Sequence, residues 1–540
     1  MRRTLIILSS LVLLTISLSL AEDRADLAAI YKIKDEGLNR SQVMEILSYL
    51  TDVYGPRLPG DSNSRKAAEW VQGKFREWGL QNVHAEKYDF GRSWTLEKFS
   101  AHMLEPTYSP LIAYPKSWTP GTDGPVQSEA MRVQIDSEAD IEKYRGKLKG
   151  LFVLIQPPRD VDARFEPLGR RYTEEMLKDI IRMPEPGRPG PFARMRQGQP
   201  NRQLIRKTTE FFLSEGVAAV LEAGRGDGGT VFVGSGGERG KNAPPVPPQV
   251  VLAVEHYNRI CRILEKNIKV KLEVDIRARF LTEDLTDVNI IAEIPGTDKK
   301  DELVMLGGHF DTLHTGTGAT DNGAGCAVSM EAARIIQASG LHPRRTIRVA
   351  LWGAEELGFV GSRAYVSEHF AVRPQPPEGM DRTSDEYRRW MEKSRQTPPT
   401  LKPEWSKLSA YFNYDNGTGK IRGIYCQGNE EVRPIFEAWL VPFHDLGATA
   451  VTMRNTGGTD HVPFDEVGLP GFQFIQDPVE YDTRTHHSNM DVYDRIQRGD
   501  IIQSAIVMAS FVYHTAMREE KLPRKPLPQP KSGQPPTTAR

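Results

Sequence analysis

Apolar residues recur at helical spacing near the start of the chain. Over residues 41–50 they lie three and four positions apart behind Ser41, a favourable N-cap residue. The same spacing over 63–78, ended by Gly79, predicts a second amphipathic helix. The stretch 54–60 between them holds two prolines and two glycines, which break a helix. This part of the chain is therefore predicted to form two helices joined by a turn.

From residue 287 onward, short apolar runs alternate with helical spacing. Such alternation is typical of an α/β domain, with a mixed, mainly parallel central sheet flanked by helices. A polar, proline-rich stretch at 372–406 is expected to be a surface insertion, with some helix at 385–393, that could cover a cleft. The expected strands are 287–295, 302–307, 346–352, 408–414 and 471–475, and the expected helices are 323–338, 361–369 and 500–517.

Residues 121–264 differ from the rest of the chain. They combine short apolar runs with a proline- and arginine-rich excursion and a glycine-rich loop. Either this is a small domain inserted into the main one, or it is a large excursion of the main domain. Its strands are expected at 132–135, 151–156, 217–222 and 249–254, with a helix before the third of them.

These patterns divide the chain into successive units. The last unit is rich in Pro, Lys and Gln without an apolar period, and it is expected to be a disordered tail. The units are a leader at 1–21, a first part of the main domain at 22–120, the insertion at 121–264, the rest of the main domain at 265–520 and the tail at 521–540.

The leader has the features of a secretory signal peptide. Arg2 and Arg3 precede an apolar run at 5–20, and Ser19 and Ala21 provide small residues at a cleavage site. The alternative is a single membrane anchor, because the run is almost long enough to span a bilayer. With a cleaved leader, the mature protein is expected to be secreted or periplasmic and to have no contact with the membrane.

Charge and cysteine content exclude two classes of partner or site. The 540-residue chain has a formal net charge of −1, whereas nucleic-acid binders usually carry a clear basic excess. Its three cysteines, Cys261, Cys326 and Cys426, are too few for a disulfide framework, although one bridge could form. Their spacing also matches no cysteine-based zinc site.

Side chains that bind metals or transfer protons follow four of the predicted strands. In open α/β sheets, ligands bind beyond the carboxyl ends of the strands, so these side chains are expected to meet at one edge. Taken one at a time, each has an ordinary explanation, such as a solvated helix start or a surface loop. Their shared position favours a single site. They are His309, Asp311, Asp321, Glu355, Glu356, Asp415, His487 and Asp491.

The donor types suit a pair of zinc ions. Two imidazoles and three carboxylates form a set that zinc accepts, with cobalt or manganese as substitutes. Two ions roughly 3.5–4 Å apart could share Asp321 as a bridge. Asp311, two residues from His309, is placed to orient that imidazole. If Glu356 is a ligand, its neighbour Glu355 is free to accept a proton from water.

Several of these residues lie in longer stretches of distinctive sequence. The chain has Gly-His-Phe-Asp-Thr at 308–312, Gly-Ala-Thr-Asp-Asn-Gly-Ala-Gly at 318–325 and Leu-Trp-Gly-Ala-Glu-Glu-Leu-Gly at 351–358. Gly-Gly-Thr-Asp at 457–460 and His-His-Ser-Asn-Met-Asp at 486–491 follow. Together they resemble the co-catalytic zinc exopeptidases, a family that includes leucyl aminopeptidases and carboxypeptidase Q-like enzymes. The insertion resembles a protease-associated domain.

The resemblance implies a function and a role for each residue. It implies an exopeptidase with two zinc ions per chain that acts on peptides or dipeptides, and it leaves open which terminus is cleaved. Glu355 would be the general base and the Asp321–Asn322 peptide bond cis. Separately, Asp311 is predicted as a second catalytic residue because it is placed to orient His309, and a homodimer is left open as the assembly. The implied ligands are His309, Asp321 as the bridge, Glu356, Asp415 and His487.

The chain departs from the family pattern at a few positions. Related enzymes often carry Tyr or Phe immediately before the last His ligand, where this chain has His486. Both His486 and Tyr481 are therefore candidates to stabilise an oxyanion. His461 is expected either to influence substrate preference or to have no role, and Asp491 is a weaker candidate for orienting a ligand.

Three other functions are compatible with the same scaffold. A glutaminyl cyclase would use one zinc ion. A receptor-like binding protein would have lost the metal site, which is difficult to reconcile with an intact set of donors. The inserted domain could also dock partners or lie over the cleft while the main domain acts on peptides.

Overall fold

The computed structural model describes residues 23–183, 202–377, 380 and 384–527, so the predicted leader at 1–21 lies outside the described residues. The helices are α1 (Leu27–Asn39), α2 (Val43–Ser48), α3 (Ser62–Glu77), α4 (Glu138–Ile141), α5 (Glu174–Ile181), α6 (Arg202–Glu215), α7 (Val254–Leu264), α8 (Ala324–Ala338), α9 (Val360–His369), α10 (Asp385–Gln396), α11 (Arg433–Leu440), α12 (His461–Asp465) and α13 (Arg498–Met517).

The strands are β1 (Gln81–Asp89), β2 (Ser93–Glu105), β3 (Ser109–Pro110), β4 (Ala113–Pro115), β5 (Val126–Arg132), β6 (Phe152–Leu154), β7 (Ala219–Ala223), β8 (Gln249–Leu252), β9 (Lys271–Leu281), β10 (Thr286–Ile294), β11 (Lys299–His309), β12 (Arg345–Trp352), β13 (Ala371–Val372), β14 (Thr400–Leu401), β15 (Leu408–Asn413), β16 (Ile421–Tyr425), β17 (Ala450–Thr452) and β18 (Gly471–Gln476).

Eight strands form the main sheet, in the order β1-β10-β12-β11-β15-β18-β16-β17. The central strands β12, β11, β15 and β18 run parallel to one another. Antiparallel pairs occur at β1–β10, β10–β12 and β16–β18, and the outer pair β16–β17 is again parallel. The predicted α/β class with a mixed, mainly parallel sheet is confirmed.

Helices cover both faces of the main sheet, as its apolar strands require. Side chains of β12 alternate between two cores: Val349 and Leu351 pack in one, and Ala350 and Trp352 in the other. The first core is closed by α1, α2, α8 and α13. The second is closed by α9 and α12, with Tyr365 and Phe464 against the ring of Trp352.

A second sheet has the order β3-β2-β9-β5-β6-β7-β8-β4. It extends beyond the predicted insertion at both ends, because β2 and β9 form its longest pair and lie outside 121–264. The strand expected at 132–135 is wrong in position, since β5 ends at Arg132. The pattern did not reveal β2 and β9 because their exposed and buried positions alternate irregularly. That this unit is a protease-associated domain stays a prediction.

The first residues of the predicted tail pack against the main domain. Leu522 is buried, and its N–H donates to Ser409 Oγ at 3.0 Å. The Arg524 guanidinium lies 4.1 Å from the ring centroid of Trp405. Residues from 528 onward lie outside the described part of the chain.

The described residues also bear on the membrane and disulfide predictions. None of the helices in the described ranges combines the length and the apolar composition needed to cross a bilayer. All three cysteines are buried and unpaired, so the single bridge that the sequence allowed does not form.

Candidate active site

The carboxyl ends of the parallel strands bring the predicted residues together. His309 is the last residue of β11, Asp415 lies two residues after β15, and Glu355 and Glu356 follow β12. Asp321 lies in the turn that precedes α8, and its peptide bond to Asn322 is cis, as the resemblance implied. His487 lies in the loop after β18.

One group of donors forms around the first carboxylate oxygen of Asp321. His309 Nε2 lies 3.1 Å from Asp321 Oδ1 and 3.6 Å from Asp415 Oδ1. All three side chains are buried. We call these residues the first cluster, and their ligand atoms are close enough together to hold one metal ion.

A second group forms around the other oxygen of the same carboxylate. His487 Nε2 lies 3.2 Å from Asp321 Oδ2 and 2.7 Å from Glu356 Oε2. His486 Nε2 is 3.6 Å from the same Asp321 oxygen. We call Asp321, Glu356 and His487 the second cluster. Asp321 therefore presents one oxygen to each cluster, which is the arrangement that a bridging ligand requires.

The charge of the site fits cationic metals. Among the described residues, the ion pairs of Asp321, Glu356 and Asp415 are all to histidines, with no lysine or arginine within 4.0 Å. Buried carboxylates without cationic partners are unstable unless they are neutralised or bind a metal. Glu356 Oε1 is also buried without a hydrogen-bond partner among the described residues. The residues present therefore fit the group that the sequence implied.

Asp311 and Asp491 support the clusters through the backbone. The Asp311 carboxylate accepts hydrogen bonds from the N–H groups of Glu355 (2.9 Å) and Glu356 (3.3 Å). His309 Nδ1 lies 3.0 Å from the backbone oxygen of Asp311 and 3.7 Å from its Oδ1, so the ring is oriented by the main chain. Asp491 accepts the N–H of Asp321 at 3.2 Å.

Glu355 lines the cleft beside the clusters. Burial raises the pKa of its carboxyl well above the usual range; Asp415 raises it further, and His309 opposes the shift. The cleft has a cavity volume of about 280 Å³, and Phe359, Tyr481 and His486 also line it.

Of the three residues whose role the sequence left open, two lie at the cleft and one lies in the core. The rings of His486 and Tyr481 stack at 4.7 Å between centroids, at the wall of the cleft. His461 is fully buried, and its Nε2 lies 3.2 Å from the backbone oxygen of Thr456. A side chain with no exposed surface cannot contact a substrate, so His461 belongs to the core.

Arg57 is a residue of the site that the sequence did not reveal. Its guanidinium is fully buried and donates to the backbone oxygens of Leu50 (2.6 Å), Phe310 (2.9 Å) and Gly318 (3.1 Å). It thus joins the turn at 54–60 to both ends of the loop between His309 and Asp321. The only signal in the sequence is a charged residue inside a Pro- and Gly-rich turn.

Comparison with known proteins agrees with this geometry. Residues 289–512 match the sequence model of peptidase family M28. The matched residues, which make up less than half of the chain, contain all the residues of both clusters. The chain is an enzyme, with the fold and the resemblance that its sequence predicted.

The likeness to known proteins extends beyond residues 289–512. Carboxypeptidase Q of Bos taurus is 26% identical over 491 residues, covering 90% of this chain and 88% of that protein. A peptidase M28 precursor from Shewanella amazonensis SB2B superposes with a TM-score of 0.63 at 23% identity, covering 92% of this chain and 98% of that one. A zinc aminopeptidase from Bacillus subtilis gives 0.54 at 18% identity, covering 89% and 96%. Both structures share the fold.

Proposed function

We propose that this chain is a secreted exopeptidase of peptidase family M28 that hydrolyses terminal peptide bonds with two zinc ions. The observation that carries the proposal is the position of Asp321, whose two oxygens each face a separate cluster of donors. The first cluster, with His309 and Asp415, would hold one ion. The second, with Glu356 and His487, would hold the other.

The chemistry divides between the metals and the side chains. Zinc supplies Lewis-acid chemistry at such a site, because it polarises a carbonyl oxygen and lowers the pKa of water. Glu355, buried and lining the cleft, accepts the proton of the attacking water and later passes it to the leaving amine. Asp311 keeps Glu355 in place because its carboxylate accepts a hydrogen bond from the backbone N–H of Glu355. His486 and Tyr481 are the groups available to stabilise the oxyanion.

The substrate is proposed to be a peptide or dipeptide with a free terminus. The similar proteins are named for both ends, as carboxypeptidase Q and as an aminopeptidase, so either end is a candidate. Secretion rests on the leader at 1–21, and N-terminal sequencing of the mature protein tests its cleavage.

Zinc content and hydrolysis, measured together, test the proposal. Wild type is expected to bind about two zinc ions and to cleave dipeptides. Glu355→Gln should keep the zinc and lose at least about a hundredfold in kcat, because proton transfer contributes that much. Glu356→Gln, the adjacent matched variant, should instead lose the zinc ion of the second cluster.

A panel with blocked termini identifies the end that is cleaved. Loss of hydrolysis with N-acetylated substrates indicates amino-terminal trimming, and loss with C-terminal amides indicates carboxyl-terminal trimming. Wild-type protein without zinc and without hydrolysis would refute the proposal in favour of a binding protein. One zinc ion together with cyclisation of N-terminal glutamine would favour a cyclase.

A further inference from the structure

The segment that connects β7 to β8 of the second sheet contacts the loop that carries His487. Residues 229–233, which we call the bracing segment, run beside residues 487–489 of the main domain. Val233 N–H donates to His487 O at 2.9 Å, and Phe232 pairs with Ser488 in an antiparallel bridge. The connection between β7 and β8 of the second sheet therefore pairs with the backbone of the loop that carries His487.

Asn489 strengthens this pairing with its side chain. Its Oδ1 accepts the N–H of Val231 at 2.7 Å, and its Nδ2 donates to the backbone oxygen of Gly229 at 3.2 Å. Its own N–H donates to Val231 O at 3.2 Å. One asparagine thus makes three hydrogen bonds to the bracing segment.

The bracing segment is itself firmly anchored. Val231 and Val233 are buried in an apolar cluster with Val251 of β8 and with Ala253, which directly follows β8. Their side chains point into that sheet while their backbone groups bond to the main domain. The segment can therefore act as a fixed support for the loop.

His487 is a residue that needs such support. Its φ is +62°, in the left-handed region that a residue with a Cβ rarely adopts. Conformations of this kind persist where surrounding contacts hold them. Since the backbone sets the direction of the side chain, loss of this conformation would move Nε2 away from Glu356 and Asp321.

We propose that the bracing segment, through Asn489, positions His487 and so sets the metal affinity of the second cluster, with no comparable effect on the first. This assigns Asn489 as a positioning residue and makes the second sheet part of the metal site. The inference rests on the proposed function only in requiring that the two clusters bind zinc.

Chelator competition on the full chain, resolving two zinc affinities, tests the inference. Removing groups that orient a metal ligand typically weakens metal binding 10- to 100-fold. Asn489→Ala is expected to lower the affinity for one of the two zinc ions by about that factor and to leave the affinity for the other unchanged. Cobalt substitution should show a changed visible spectrum for one equivalent only.

Asn258→Ala is the matched control. Asn258 of α7 likewise accepts a hydrogen bond from Arg159 N–H at 3.0 Å and donates one to Arg159 O at 2.6 Å, in the segment that follows β6. It contacts neither cluster, so both zinc affinities should stay at wild-type values. If Asn489→Ala does not fold, Asn489→Asp, which keeps the acceptor for Val231, replaces it and should show a smaller loss at the same ion.

The outcomes separate the inference from the proposed function. Unchanged affinities in Asn489→Ala, or an equal loss at both ions, would overturn the positioning role. Wild-type protein that binds no zinc would instead overturn the proposed function, before any variant is compared.

Discussion

At the scale of single residues, Asp321 organises the site. Its Oδ1 is 3.1 Å from His309 Nε2 and its Oδ2 is 3.2 Å from His487 Nε2. One histidine at the end of β11 and one in the loop after β18 therefore converge on one carboxylate. The N–H of Asp321 donates to Asp491 Oδ2, which restrains the backbone behind that carboxylate. A residue that serves both clusters should affect both metals, whereas a residue of one cluster should affect one.

Asp415 tests this division because it belongs to the first cluster alone. Asp415→Asn should lower the zinc content from about two ions to about one, since an amide oxygen is a weaker ligand than a carboxylate. Metal analysis of the purified variant measures this. Asp460→Asn is the control: this neighbouring carboxylate is fully buried and accepts the Ser362 hydroxyl at 2.5 Å, and both ions should remain. Two ions in Asp415→Asn would contradict the cluster assignment.

His314 gives a prediction for pH. Its ring lies edge-on to Trp94 at 5.1 Å, its Nε2 donates to Pro115 O at 2.7 Å, and burial lowers its pKa to about 4. The unfolded chain binds the proton near the usual value of about 6.5. The stabilising effect of the neutral ring is therefore complete above about pH 6.5 and is lost as the pH falls towards 4.

Urea unfolding of the metal-free protein between pH 4 and 7 measures this effect. The free energy of unfolding of His314→Gln should fall less steeply than that of wild type as the pH is lowered. The difference between the two slopes should be up to about 1.4 kcal/mol per pH unit. Glutamine can still donate to Pro115 O, so the contact with β4 is retained. Parallel profiles for the two proteins would show that His314 is not kept neutral by the fold.

At the scale of elements, the turn at 54–60 fixes the loop that leads to Asp321. Besides its guanidinium contacts, Arg57 uses its backbone N–H to donate to Thr312 Oγ1 at 2.9 Å. The loop from Phe310 to Gly318 has no regular hydrogen-bonded structure of its own, so the turn supplies much of its support.

Arg57→Met should therefore destabilise the protein strongly. Methionine fills a similar volume but leaves the carbonyl oxygens of Leu50, Phe310 and Gly318 without donors, at a cost of roughly 3 kcal/mol or more in the free energy of unfolding. Zinc binding should weaken as the loop loosens. Arg65→Met in the next helix is the control, because its partially exposed ion pair with Asp284 is worth less than about 1 kcal/mol. Equal losses in both variants would argue against a special role for Arg57.

At the scale of the whole molecule, ion pairs and a buried apolar contact join the unit of the second sheet to the main domain. Arg171, in the excursion between β6 and α6, lies 3.1 Å from Asp477 and 2.7 Å from Asp500 of the main domain. Nearby, Leu177 of α5 is buried against Ala450 and Ile475. With the bracing segment, these contacts link the second sheet to the main domain on more than one side.

Scanning calorimetry should therefore show one unfolding transition. Zinc bound only to the folded protein stabilises it by about 2.7 kcal/mol when free zinc is a hundredfold above Kd. Because the proposed bracing segment connects the second sheet to the metal site, zinc should raise the midpoint temperature of the whole transition. If there are two transitions and zinc raises the midpoint temperature of only one, the two sheets unfold independently.

Much of the fold and of the candidate site could be predicted from the sequence. The sequence shows locally which residues follow the carboxyl end of each predicted strand. When neighbouring strands are parallel, those residues meet at one edge of the sheet. That was enough to group His309, Asp321, Glu356 and Asp415 and to give the α/β class. The cis bond after Asp321 followed from the family resemblance.

Other features depended on contacts between residues far apart in the chain. The pairing of β2 with β9, the buried Arg57 and the pairing of Asn489 with Val231 have no local signature. Backbone carbonyl groups, which Arg57 and Asn489 bind, are the same at every residue, so sequence does not mark which ones will be partners. The sequence by itself thus determined which side chains could bind metal, and the tertiary structure decided how those side chains are held in place.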